Sequence, residues 1–197
     1  MTESTFSRGD DWPRLRGEAA VAVKELLEQL EAGESAQDTF DAYLRAKSLA
    51  ADAMQARMRQ YLPERCGTFH DLRERLGTEI VRRYRDVIPE KYLRVPYGSR
   101  THEELFGVLF DDKGAPVPAA RLRIVTADSV HTERRTRELR ELGLDIDATK
   151  ANGEDVYTLK SLEIDIEKIR SIVRKNMEKD KGIPADERQR YLDAIEH

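Results

Sequence analysis

The sequence predicts a mainly helical chain with one small antiparallel hairpin in its last third. It reads as an N-terminal helical bundle, then a compact segment mixing short helices with strands, then a C-terminal helical extension. Three observations predict this. Apolar residues recur at three- and four-residue steps through residues 13–31, 36–61 and 68–87. The pair Asn152-Gly153 lies between two alternating runs, which is the signal of a tight hairpin turn. Residues 89–100, PEKYLRVPYGSR, place two prolines and a glycine between helical patterns and mark a linker.

In the first helix, Leu15, Ala19, Ala22, Val23, Leu26, Leu27 and Leu30 form the apolar line, and Gly33 ends it. Ser35 is placed to cap the second helix, whose stripe carries Phe40, Tyr43, Leu44, Leu49, Met54 and Met58 before Leu62-Pro63 stops it. Thr68, with Asp71 three positions later, reads as a relative of the capping box opening a third helix along Phe69, Leu72, Leu76, Ile80, Val81 and Tyr84. These make a helical domain of residues 12–88 behind a flexible tip, 1–11. Residues 102–110 form a short helix and DDKGAP a turn. Residues 118–126 form a second short helix with Pro118 in its first turn. Asp128-Ser129 is a turn before an arginine-bearing helix, 130–142, closed by Gly143. Strands at 144–148 and 156–159 flank the hairpin turn. Residues 161–178 read as an amphipathic helix whose stripe, Leu162, Ile166, Ile169, Val173 and Met177, either packs on the body or meets a copy of itself. Pro184 opens a terminal helix.

Bulk properties narrow the function. Of 197 residues, 37% are charged and 39% hydrophobic, as in a soluble, helix-rich protein. No apolar run reaches membrane-spanning length. The start, MTESTFSRGDDW, is polar and acidic, without the apolar stretch of a signal peptide, so a cytoplasmic location is expected. One cysteine, Cys66, leaves no internal disulfide framework and no cysteine-rich zinc site. The net charge of −4 is unevenly spread. Residues 1–44 balance to −6, residues 45–100 to +6, residues 101–160 to −3 and residues 161–197 to −1.

The run HTERRTRELRELGLDI followed by KANGEDVYTL carries the functional signal. Helix, turn, helix, short turn, helix and hairpin, within residues 101–160, is the order of a winged helix-turn-helix, whose third helix enters a DNA major groove while the wing follows the backbone. With Leu139 facing inward at 100° per residue, Thr132, Arg135, Thr136 and Leu142 lie on its side, and Arg134, Arg137 and Glu141 lie opposite. The guanidinium fork suits guanine O6 and N7, or a phosphate. The stretch ERRTRELRELGLDI with ANGEDVYTL, preceded by ELFGVLFDDKGAPVPAARL, resembles a winged-helix DNA-binding module found in restriction endonucleases and related prokaryotic DNA-acting proteins. That resemblance covers residues 102–160. It implies DNA-facing roles for Arg134, Arg135, Arg137 and Arg140, with Lys150 and Asn152 on the wing; His131 and Thr132 stand at the leading end of the helix. Thr136 departs from the module's pattern, which has an aliphatic residue there. The competing reading is a solvated helix laced by Glu133–Arg137 and Arg137–Glu141 pairs.

A catalytic centre is not expected. His70, His102, His131 and His197 show no metal-ligand spacing. Asp145, Asp147, Glu154, Asp155 and Lys160 belong to the hairpin and read as its solvated charges. There is no glycine-rich phosphate loop, and no cofactor or metal is called for. Arg75, Arg82 and Arg85, from a basic stretch that also holds Arg73 and Arg83, either extend a phosphate-binding surface or form an ordinary solvated face. The expected protein is therefore a binder of double-stranded DNA without nuclease activity: a transcription regulator, or a non-catalytic component of a restriction-modification or antiviral defence system. Its N-terminal helices would meet a protein partner, and residues 162–177 a second copy. The alternative is an interaction or scaffold subunit whose winged helix contacts protein; a divergent metal-dependent nuclease ranks third.

Overall fold

A computed structural model describes residues 11–32 and 35–196. The architecture is mainly helical, with a small three-stranded antiparallel sheet, an α+β arrangement. All but Asp11 of the expected flexible tip, together with Gly33, lie outside the described residues. No described helix is long and apolar enough to cross a membrane.

The chain divides into two compact units. The first consists of the described part of Met1–Glu64 together with Ala120–Thr132. It is built on α1, Trp12–Ala32, and α2, Ala36–Arg59. Ser35 caps α2 as expected, its hydroxyl accepting from the Asp38 amide at 3.3 Å. The two helices run antiparallel. Glu25 meets Arg45 at 2.8 Å near one end, and the Arg57 guanidinium lies 5.4 Å from the Trp12 ring centre at the other. Their buried positions are all alanines: Ala19, Ala22, Ala46, Ala53 and Ala56. Of the large residues expected to bury, Leu15, Leu26, Leu49 and Met58 are half-buried and the others are not. Val23, Leu27, Leu30, Phe40, Tyr43, Leu44 and Met54 are exposed. Alanine faces let the helix backbones approach closely, which turns the larger neighbours out to the sides. The described residues of this unit also include most of α5, Ala119–Val125, where Gln55 donates to the Val125 carbonyl at 2.6 Å.

The second unit consists of Arg65–Ala119 and the described part of Glu133–His197. Helix α3, Gly67–Tyr84, buries the expected Phe69, Leu72, Leu76 and Ile80, although Val81 is exposed. Its cap differs from expectation. The N-cap is Cys66, and the Cys66 amide donates to Glu103 Oε1 at 2.7 Å, so a carboxylate from the next helix replaces the Thr68–Asp71 box. Helix α4, Arg100–Asp111, contributes Leu105, Phe106 and Leu109, and the Phe69 and Phe106 rings stand 5.2 Å apart. Strand β1, Val117–Pro118, pairs with β3, Glu154–Ile164, which pairs with β2, Leu144–Ala151, in the order β1-β3-β2. Pro118 therefore ends a strand rather than opening a helix; it brings no amide to the ladder, which suits a short edge strand. Helix α6, Thr132–Glu141, supplies Leu139, while α7, Lys168–Glu178, supplies Ile169, Val173 and Met177. Burying each of these large side chains stabilises the unit by about 1.5–3 kcal/mol.

Two further expectations change. Residues 161–164 extend β3 instead of starting a helix: Ile164 pairs with Leu144, and the Asp165 amide donates to the Gly143 carbonyl at 2.9 Å. In the stripe assigned to residues 162–177, Ile169, Val173 and Met177 are fully covered within this unit, so they are not open to a second copy. The compact units also fall along other lines than the expected domains. Helix α3 belongs with the sheet, and the expected linker 89–100 lies inside the second unit. That segment is pinned rather than loose. Arg73 donates to the carbonyls of Val95 and Pro96, and Asn176 donates to those of Tyr92 and Arg94. The chain closes on α8, Ala185–Glu196, after Pro184.

Candidate nucleic-acid interface

The arginine helix is set up by the residues before it. Ala127 and Asp128 both have positive φ, 48° and 56°, and reverse the chain after α5. Thr132 then donates to the Ser129 carbonyl at 2.9 Å and contacts the Thr126 hydroxyl at 2.5 Å. With 2% exposure, its side chain faces the interior. Thr132 is thus removed from the DNA-facing set, because its hydroxyl is spent on the turn. His131 is exposed at the helix start. Thr136, Leu139 and Leu142 are buried, as the 100° rotation predicts.

Four arginines follow, and they fall into two pairs. Arg134 Nε donates to Glu138 Oε1 at 3.1 Å, and Arg135 donates to Glu138 Oε2 at 3.0 Å. The same Oε2 accepts from His102 Nε2 at 2.8 Å. Because the carboxylate can only accept, His102 Nε2 carries a proton, and Nδ1 lies 2.7 Å from the Ser99 hydroxyl. The pair is deeply placed, with His102 1% and Glu138 6% exposed. Burial alone raises the Glu138 carboxyl, but the hydrogen bonds from His102, Arg135 and Arg134 outweigh it and hold the group below its usual range. Burial also depresses His102, with Glu138 opposing only part of that effect. Both shifts describe one state: a charged carboxylate beside a neutral histidine.

Arg137 and Arg140 form the second pair. Both are exposed, and among the described residues neither is salt-bridged to a carboxylate. Arg137 reaches Glu141 only through its longer-range field. The expected Glu133–Arg137 and Arg137–Glu141 pairs are not the ones that dominate, because Glu141 is taken by Lys175 at 2.9 Å and by the Tyr97 hydroxyl at 2.8 Å. Burial, followed by that hydrogen bond, pushes Tyr97 up to about 12. Arg137 and Arg140 border an open groove of about 650 Å3, shared with Lys168 and Lys175 and with the acids Asp145, Glu163 and Asp165. Gly143 lies within this groove at φ +90°, the conformation its role as helix terminator requires.

The hairpin turn is formed by Asn152 and Gly153 at φ 51° and 85°, both positive as a type I′ turn demands. Lys150 and Asn152 are exposed on it, with Lys150 3.9 Å from Asp155. The hairpin carboxylates pair off locally: Asp147 with Lys160 at 2.5 Å, and Asp145 with the Ser161 hydroxyl at 3.1 Å. Among the described residues, no group of three or more His, Cys, Asp or Glu side chains is placed to hold a metal ion. On the other basic stretch, Arg82 and Arg83 both bind Glu79, holding its carboxyl down at about 2, and Arg73 is turned onto backbone carbonyls. Comparison with protein-family models, with curated proteins and with solved structures finds no match.

Sequence reasoning misses Glu138, His102 and Ser99. Their signals are nonetheless present. Glu138 stands four residues after Arg134 and three after Arg135, and Ser99 stands three before His102 at a helix start, a capping-type spacing.

Proposed function

We propose that this chain binds duplex DNA through a winged helix-turn-helix, with α6 as the groove-facing helix and the β2–β3 hairpin as the wing. It would act as a regulator or a non-catalytic component of a prokaryotic defence or restriction system. The observation that carries this reading is the order α4, β1, α5, α6, β2, β3 with the sheet arranged β1-β3-β2, where the helix directly before the hairpin carries Arg137 and Arg140, both exposed and, among the described residues, neither salt-bridged to a carboxylate. Arg137 and Arg140 are the primary phosphate or base contacts. Arg134 and Arg135 add to them only where a phosphate competes with Glu138. Lys150 and Asn152 extend the surface at its edge.

The test is a fluorescence-anisotropy salt series on the full chain. Substituting Arg137 and Arg140 together by alanine is expected to weaken duplex binding at least tenfold at low salt. It should also lower the slope of log K against log salt by about one for each phosphate no longer neutralised. Unchanged affinity and slope would remove the assignment. A second reading, in which the same module contacts protein, is favoured by the acidic side chains along the hairpin and the −3 balance of residues 101–160. Absence of any duplex retention at low salt would select it.

A further inference from the structure

We infer, resting on the reading of α6 as the groove-facing helix, that duplex binding is coupled to uptake of a proton by His102, relayed through Glu138 from the guanidinium groups of Arg134 and Arg135. The Glu138 carboxylate has an inner and an outer side. On the inner side, Oε2 accepts from His102 Nε2 at 2.8 Å, between two buried side chains. On the outer side, the same oxygen accepts from Arg135 at 3.0 Å, and Oε1 accepts from Arg134 Nε at 3.1 Å. Solvent reaches both arginine side chains. Glu138 therefore touches a buried ring and two cations that an incoming phosphate can meet.

In the free chain the two guanidinium groups satisfy the carboxylate from outside, and the imidazole stays neutral. Burial favours that neutral form; among the charges, Glu138 favours the cation, while Arg135 and Arg73 oppose it. Arg73, on α3, is held by the carbonyls of Val95 and Pro96. Ser99 lies on Nδ1, and the Tyr97 ring, whose hydroxyl donates to Glu141, stands 5.7 Å away. On His102's own helix, Glu104 pairs with Arg100 at 2.6 Å, and Glu103 accepts from the Cys66 amide and lies 3.2 Å from His70. Strand β3, packed on the same helix, leaves Glu154, Asp155, Lys160 and Glu163 exposed. A backbone phosphate that takes up Arg134 or Arg135 draws positive charge away from Glu138 and brings an anion close. Both changes act in one direction. Compensation for the buried carboxylate then comes from inside, where His102 supplies it by becoming a cation. Binding that takes up a proton strengthens as pH falls, and by reciprocity a protonated His102 frees the arginines for phosphate.

Two measurements on the full chain test the coupling. In the free protein, a histidine NMR titration should show the His102 midpoint moving upward when Arg134→Ala and Arg135→Ala are combined, with the resonance assigned by its loss in His102→Gln. A midpoint that stays in place or falls overturns the relay. For binding, fluorescence anisotropy with a mixed-sequence duplex is followed at fixed salt from about pH 7.5 to about pH 6, the range in which a histidine changes charge. Over that range the parent's affinity should rise about threefold or more beyond any rise in His102→Gln. Parallel curves overturn the inference and leave the DNA-binding reading standing. Failure of the parent to retain duplex at low salt and any pH overturns that reading, and the inference with it. If either variant does not fold, calorimetry of the parent in two buffers of different ionisation enthalpy counts the protons directly. Net uptake on binding is the expected result; none, or release, overturns the inference.

Discussion

Replacing Glu138 by glutamine isolates the contribution of the buried hub. The glutamine side chain has nearly the same shape, so packing is retained while the charge and one acceptor are removed. The carboxylate now accepts from three donors, His102, Arg135 and Arg134. The Arg134 side chain is 62% exposed and the Arg135 side chain 41%, so solvent discounts both. The His102 contact, between two buried groups, carries most of the effect. A hydrogen bond to a charged group contributes about 1.5–3 kcal/mol, and the glutamine amide would turn a donor toward another donor. The combined cost is about 2–4 kcal/mol. For a unit of this size that is a fall in Tm of roughly 10 °C. Chemical denaturation of the variant, His102→Gln and the double variant measures it. The two substitutions should couple by more than about 1 kcal/mol. A destabilisation under about 0.5 kcal/mol, or additive behaviour, would refute the claim that Glu138 and His102 act as one unit.

Other consequences are equally open to measurement. The folded chain should lose stability in mild acid. His102 is depressed in the folded state, so the unfolded chain binds more protons below pH 6.5, and its contribution is complete above that pH and lost as pH falls. Glu138, also depressed, adds a loss of the same sign below about pH 4.5. Denaturation midpoints between pH 8 and 5 should decline for the parent and stay flatter for His102→Gln; parallel curves would contradict this. Gly143→Ala should destabilise by about 2–4 kcal/mol, since φ is +90° and the added carbon would stand 2.8 Å from the Asp165 carbonyl oxygen. A thermal shift within error of the parent would rule that out.

The sequence is most legible where a local rule decides the outcome. Asn152-Gly153, Gly143 and Ser35 each take the conformation or bond that the side chain dictates. Helix α3 buries its predicted line because Phe69, Leu72, Leu76 and Ile80 have the core of the second unit to pack against. Periodicity misleads on the α1–α2 pair, because it marks an apolar stripe without saying whether alanines or leucines face the neighbouring helix. At residues 161–164 it misleads again, because Leu162 fits a helical step as readily as a strand. There the choice is made by a partner, Leu144 with Gly143, nearly twenty positions earlier. On α6 the 100° rotation separates the buried Thr132, Thr136, Leu139 and Leu142 from the exposed Arg134 and Arg137, whereas Arg135, on its inward side, keeps a side chain 41% exposed. The hub is invisible to it, because His102 and Glu138 are 36 residues apart and only tertiary structure brings them within hydrogen-bond reach.

The alanine seam of α1 and α2 inverts the usual rule of mutational tolerance. In most helix pairs, truncation of large core residues is what damages the protein, whereas along this seam enlargement does the damage. A single added methylene at Ala22 or Ala53, each 1% exposed, forces the two backbones apart along their shared length and costs about 1–3 kcal/mol. In this helix pair the smallest side chains are therefore the ones least free to be enlarged.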